Sequence, residues 1–209
     1  MIIRSIGHAS FRIDLANKTS IVTDPFDPSV GYELPHTPAD LVTMSHQHHD
    51  HNYIGALAPA HVADAPGRYV FDGVTVEGLP SFHDDAGGAK RGPNTVFIFE
   101  AEGLRVAHLG DLGHMPDETL LGRLRSVDVM MIPVGGVFTI DARQAAELTR
   151  LVGARITVPM HYAQPRLSFR LGTLQAYLDA AGLECARLTE LDPSGALPPI
   201  VALESGHGL

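Results

Sequence analysis

The stretch Ser45–Gly55 (SHQHHDHNYIG) constrains this chain more than any other. It places His46, His48, Asp50 and His51 within six positions, directly after the short apolar run Asp40–Ser45. A strand end holds the first of these side chains rigidly, and a tight loop then folds the rest back toward the same small volume. In extended backbone His46 and His48 project to one side, while Asp50 and His51 approach from another direction once the chain turns. Imidazole and carboxylate donors gathered in this way suit Zn2+, and also Mn2+, Fe or Ni. A histidine run can be an accident of the surface. This one sits mid-chain behind a buried strand, with an acid interleaved at a definite spacing. His49 is expected to point away from the cluster.

Three further segments each offer a donor at the end of a strand. His83 closes the apolar run in GLPSFHDD, Asp111 follows LRVAHLG with Gly110 permitting a sharp turn, and His161 follows RITVPM. Seven donors on four strand ends exceed what one tetrahedral ion uses, so two divalent ions are expected. Composition agrees: there are 12 histidines against 15 Lys plus Arg. The single cysteine, Cys185, excludes an intrachain disulfide and any multi-cysteine metal site within the chain. A net charge of −9 disfavours nucleic acid and anionic membranes as partners. No run approaches the ~20 apolar residues of a membrane span, and the first dozen residues lack a signal-like apolar core. The expectation is a cytoplasmic protein with a small-molecule substrate, a homo-oligomer being left open.

The first half of the chain reads as short strands: Met1–Ile6, Ser10–Leu15, Thr19–Thr23 and Asp40–Ser45. Hairpins are expected around Asp72-Gly73 and Glu102-Gly103, dipeptides suited to positive φ. After residue 125 strands and helices alternate. Val127–Pro133 and Arg155–Pro159 read as strands. A helix runs from an Asp141 N-cap through Leu151, and another spans Thr173–Ala181, stopped by Gly182. Glu184–Thr189 and Ile200–Leu203 are final strands. With no linker and about 150 residues per domain as a guide, residues 1–209 read as one α/β domain with sheets covered by helices.

The order HxHxDH, then His, then Asp after Gly, then His, resembles the metallo-β-lactamase superfamily of binuclear metallohydrolases. GHASF (Gly7–Phe11), TDPF (Thr23–Phe26), GPNTVF (Gly92–Phe97), HLGDLGH (His108–His114) and PVGG–FTIDA (Pro133–Ala142) are similar to the branch that contains ascorbate-6-phosphate lactonase. The resemblance implies a four-layered αβ/βα sandwich, two mixed sheets with helices outside and the site at one edge. It further implies that His46, His48 and His83 bind one metal and Asp50, His51 and His161 the second, with Asp111 bridging. Cys185, in a late strand far from every motif, is not a ligand.

The function expected is that of a metal-dependent hydrolase. A hydroxide bridging two divalent ions, Zn2+ first and Mn2+ second, cleaves a small ester, lactone or phosphoester. The alternatives are phosphodiesterase or nuclease-like activity on nucleotides, and a metal-binding protein with little catalysis. Asp50 both ligates and orients the nucleophile. His8 and His114 are the candidates for proton transfer, His108 reads as a satisfied core histidine, and Asp24 is placed to orient a ligand imidazole. Lys90 and Arg91 follow His83, and Arg166 and Arg170 follow His161. Together with Asn94 they are expected to bind a substrate that is a small anion.

Overall fold

Strands with apolar residues at both odd and even positions need cover on both faces, and the layers of this protein follow from that requirement. A computed structural model describes residues 1–34 and 38–205. One sheet holds β1 (Ile2–Gly7), β2 (Ser10–Asp14), β3 (Ser20–Thr23), β4 (Leu41–Thr43) and β5 (His61–Ala63), in that order. The other holds β6 (Gly67–Phe71), β7 (Val74–Phe82), β8 (Pro93–Ala101), β9 (Leu104–His108), β10 (Val129–Pro133), β11 (Ile156–Met160), β12 (Cys185–Leu188) and β13 (Ile200–Leu203). Its order is β12-β13-β11-β10-β9-β8-β7-β6. Both are mixed: antiparallel pairs along β1–β3 and β6–β9 give way to parallel pairs at β3–β4 and β9–β10.

Period-two alternation sorts the side chains into layers. On β8, Phe97 and Phe99 enter the core between the sheets, and Val96 and Ile98 enter the core under the helices. On β10, Val129 and Met131 face the first sheet while Met130 and Ile132 face the helices. Helices α1 (Glu118–Leu124), α2 (Ala142–Val152) and α3 (Leu174–Ala181) all pack on this second sheet. The outer face of the first sheet is built differently from the helical layer expected there. Among the described residues, Val22, Val42 and Met44 are covered by loops and two three-residue 3-10 helices. No helix among them is long and apolar enough to cross a membrane.

Most expected elements are present. Asp72 (φ +42°) with Gly73 and Glu102 (φ +55°) with Gly103 close the two hairpins. The Asp141 side chain accepts from the Arg143 and Gln144 amides, and the Gln144 side chain accepts from the Asp141 amide, starting α2 with a complete capping box. Helix α1 and strand β5 are additions, each too short to show a period.

The site lies where the strands end. His8, Asp24 and His161 directly follow β1, β3 and β11 with φ of +54°, +41° and +52°, turning the chain back over the sheet edges. Backbone bonds join the two sheets there, from Thr95 N–H to Ser45 C=O (2.8 Å) and from His161 N–H to His8 C=O (3.2 Å).

Phe97 is fully buried between the sheets. Phe97→Ala is therefore expected to cost about 3–5 kcal/mol, whereas Val62→Ala on the more exposed β5 should stay within about 0.5 kcal/mol; urea unfolding measures both.

Candidate metal centre

Asp111 is brought into the interior by a turn that only glycine permits. Gly110 has φ +54°, and a Cβ there would lie 2.4 Å from both Asn94 Oδ1 and Ser45 Cβ. Beyond it the Asp111 amide donates to Asn94 Oδ1 at 3.0 Å, and the carboxylate is buried. Four imidazole Nε2 atoms surround Asp111 Oδ2: His83 at 3.2 Å, His161 at 3.3 Å, His51 at 3.4 Å and His46 at 4.0 Å. Two sets of donors flank it. His46, His48 and His83 present ligating atoms within 4.8 Å of one another, and so do Asp50, His51 and His161, with His8 joining the latter set.

These groups fit a cation. Buried polar atoms in folded proteins almost always find a partner. Among the described residues, nine buried side-chain nitrogen and oxygen atoms make no hydrogen bond. Six of them belong to residues of this cluster: His46 Nε2 and His51 Nε2, which face Asp111 Oδ2, Asp111 Oδ1 itself, and the Nδ1 atoms of His8, His83 and His161, whose Nε2 atoms face Asp50 or Asp111. The charges agree. Burial alone would lower the pKa of His51, yet Asp111 first, then Asp24 and Asp50, hold it well above the ordinary value, so these carboxylates call for positive charge at Nε2 that a bound cation would supply in place of a proton. Burial, reinforced by neighbouring histidines, lowers His46 to about 3 and His8 to about 4.

Asp24 organises the outer side of the cluster. Its Oδ1 accepts from the Ser45 amide (2.7 Å), and its Oδ2 accepts from Ser45 Oγ (2.5 Å) and His51 Nδ1 (2.8 Å). The Ser45 hydroxyl has one proton and gives it to Asp24, so its contact at 3.0 Å with His46 Nδ1 is accepted from the ring. Both imidazoles therefore carry their proton on Nδ1 and turn the Nε2 lone pair toward the cluster. Asp24, with its oxygens occupied, stands behind the donors. His108 is a satisfied core residue: Nε2 donates to Ala9 C=O at 2.8 Å and Nδ1 accepts from the Gly110 amide at 3.2 Å.

A cleft of about 320 Å3 opens onto the donors, with His48, Asp50, His83 and Asp111 on its floor. Phe138, Phe169 and Arg91 form its walls, and His49, expected to point away, stands exposed at its rim. Several expected site residues lie elsewhere. Asn94 is buried; its Nδ2 donates to Ser81 Oγ and Leu109 C=O, so with Oδ1 on the Asp111 amide it fixes the turn and cannot meet a substrate. His114 packs on Phe82 with Nδ1 donating to Met115 C=O, outside the residues lining the cleft. Lys90 lines a neighbouring cavity and pairs with Asp85 at 2.6 Å. Arg166 lines a separate cavity of about 590 Å3 beside Tyr32 and Tyr162, and exposed Arg170 is not among the cleft residues. The cause is a fold-back after β11: Ser168 N–H donates to Val30 C=O at 3.0 Å, and the Arg166 carbonyl closes on Gly31.

Asp84 was not singled out by its sequence context. Its carboxylate accepts from four backbone amides, those of Ala86, Gly88, Lys90 and Arg91, at 2.7–2.9 Å. Against the effect of desolvation, these amides bring its pKa down to about 2 and shape the loop that carries Arg91. An acid directly after His83, ahead of the glycines of the loop, is the available signal.

The family described as "Beta-lactamase superfamily domain" matches residues 2–161. The "UPF0173 metal-dependent hydrolase" of Pelotomaculum thermopropionicum is 30% identical over 189 residues, covering 75% of this chain and 82% of the relative. That of Methanoculleus marisnigri is 33% identical over 181 residues, covering 75% and 79%. Among solved structures, a protein from Thermotoga maritima assigned to the Zn-dependent hydrolases of the metallo-β-lactamase superfamily aligns with a TM-score of 0.79. It is 35% identical, with 97% of each chain covered.

Two measurements check the site's construction. Asp24→Asn is expected to weaken metal affinity by about 10–100-fold, read by chelator competition. Asp84→Ala should raise hydrogen exchange at the amides of Ala86, Gly88, Lys90 and Arg91. Because the folded pKa of Asp84 is depressed, its contribution is complete above pH ~4 and lost as pH falls through about 2. The wild-type loop should therefore open in that window.

Proposed function

The chain belongs to the β-lactamase superfamily, within it to the UPF0173 metal-dependent hydrolases, and on that premise we propose a binuclear enzyme that hydrolyses a small anionic ester, lactone or phosphoester. The observation that carries the proposal is Asp111 Oδ2, with four imidazole Nε2 atoms within 4.0 Å and a donor set on either side. In this reading His46, His48 and His83 hold one ion, Asp50, His51 and His161 hold the other, and Asp111 stands between them. Zinc is the metal proposed, supported by the imidazole-rich donor set and by the assignment of the Thermotoga relative; manganese is the alternative. Bound there, two divalent ions supply water acidified toward neutrality and positive charge for the oxygen that becomes anionic.

The protein's own residues supply orientation and exclusion. Asp50, half-buried at the mouth, is steered by His8 Nε2 at 3.3 Å from its Oδ2, so its carboxylate is aimed before substrate arrives. Asp24 and Ser45 keep the His46 and His51 rings in one tautomer. Phe138 and Phe169 wall the cleft with apolar surface and displace water from the reacting bond. Arg91 supplies positive charge at the wall for an anionic group of the substrate. At about 320 Å3 the cleft sits at the small end of ligand pockets (about 300–1,000 Å3), which favours a metabolite-sized substrate over a polymer.

Metal-loaded protein is expected to contain two equivalents by elemental analysis and to hydrolyse chromogenic esters or phosphoesters. His46→Ala and His83→Ala should abolish turnover, and Asp111→Ala should lose both turnover and stoichiometric metal. One equivalent of metal, unaffected by Asp111→Ala, would overturn the binuclear reading. Preference for bis-phosphodiesters over carboxylic esters would redirect the substrate class.

A further inference from the structure

Arg91 is the basic residue on the cleft wall, and its seat is specific. Its guanidinium carbon lies 3.7 Å from the centre of the Phe138 ring. Among the described residues no carboxylate pairs with this guanidinium and it donates no hydrogen bond. Its neighbour Lys90, by contrast, is paired with Asp85. A guanidinium lying on an aromatic face uses its π surface for the ring and leaves its in-plane N–H edge open to an acceptor. The backbone beneath is fixed too, since the Arg91 amide donates to Asp84 Oδ2 at 2.7 Å.

Phe138 reaches this position through a strained turn. Its N–H donates to Gly136 C=O at 2.7 Å across Val137, whose φ is +66°. Three-residue turns of positive φ are the strained kind, and a β-branched residue rarely adopts that backbone. Core packing does not explain it, because Val137 is 65% exposed. The loop is pinned on both sides beside the donor-bearing segments. Gly135 abuts the His161 carbonyl, and the Ile140 amide donates to Leu112 C=O at 2.9 Å. Strain retained at the wall of a cleft, with no core to demand it, points to a role in what the cleft binds.

We propose that Phe138 is a positioning residue for substrate recognition: it holds the Arg91 guanidinium flat, so that its N–H edge meets a planar, two-oxygen acceptor. The substrate's charged group is then a carboxylate or phosphate taken through paired hydrogen bonds, set beside an apolar skeleton that packs on Phe138 and Phe169. The inference rests on the reading of this cleft as the hydrolytic site.

The test compares a charged ester, 4-nitrophenyl hemisuccinate, with its neutral counterpart 4-nitrophenyl butyrate on metal-loaded enzyme, alongside calorimetric binding of succinate and of methylphosphonate. Arg91→Lys and Phe138→Leu should each raise KM for the charged ester roughly tenfold, the loss of a hydrogen bond to a charged group. The neutral ester should change less, and metal content should stay at the wild-type level. Phe138→Tyr should restore the lower KM. Succinate affinity should fall in parallel; a fall for methylphosphonate alone identifies phosphate as the anion read. Wild-type binding of both anions by Arg91→Lys, or equal damage to both esters with loss of metal in Phe138→Leu, overturns the proposal. If wild-type enzyme hydrolyses neither ester nor any phosphoester, the hydrolytic reading fails, and the calorimetric arm still decides whether Arg91 and Phe138 form an anion fork.

Discussion

The crowding of four imidazoles around one oxygen of Asp111 is the constraint from which the rest of the site follows. A buried carboxylate is expensive unless positive charge and hydrogen bonds compensate it. Here the compensation comes from both sheets: His46 and His51 follow the first, His83 and His161 the second. The sheets must therefore close on one another at a particular edge and register. The bonds from Thr95 to Ser45 and from His161 to His8 set that closure beside the carboxylate. The turn at Gly110, where no larger residue fits, sets its depth.

Behind the donors, polar groups fix two of the rings and two of the turns. One carboxylate, Asp24, fixes two rings through Ser45 and directly, so that each presents a lone pair inward. Asn94 spends its amide on the backbone of the Asp111 turn. Asp84 does the same for the next loop with four amides. Asp24 thus acts on side chains, whereas Asn94 and Asp84 act on the backbone of the turns that carry Asp111 and Arg91.

How far this was legible in the sequence depends on the range of the interaction. The donors are visible because each sits at the end of an apolar run, and His46 to His51 share one loop. The hairpins are visible because Asp72-Gly73 and Glu102-Gly103 suit positive φ, and α2 because Asp141 and Gln144 form a local box. Residues whose role depends on where a loop folds are not legible locally. Arg166 follows His161 by five positions, yet the chain folds back onto Val30 and Gly31 and carries it to another cavity. Asn94 reads as a substrate ligand, but the pairing of β7 with β8 buries it. Phe138 lies in the stretch Pro133–Ala142 that resembles the lactonase branch, and no local pattern signals that a strained turn sets it against Arg91.

The split of the donors between two sheets also bears on when the centre can assemble. A chain is synthesised from its N-terminus, so the loop carrying His46, His48, Asp50 and His51 emerges early, after β1–β4 and before β5. His83 and then Asp111 emerge next, and His161, on the turn after β11, comes last. Until that turn docks against His8, one donor set lacks a member and the wall carried by Gly135 has no support. The donor sets are therefore complete only once that turn has docked, and a shorter nascent chain carries the histidine-rich loop without His161 beside it.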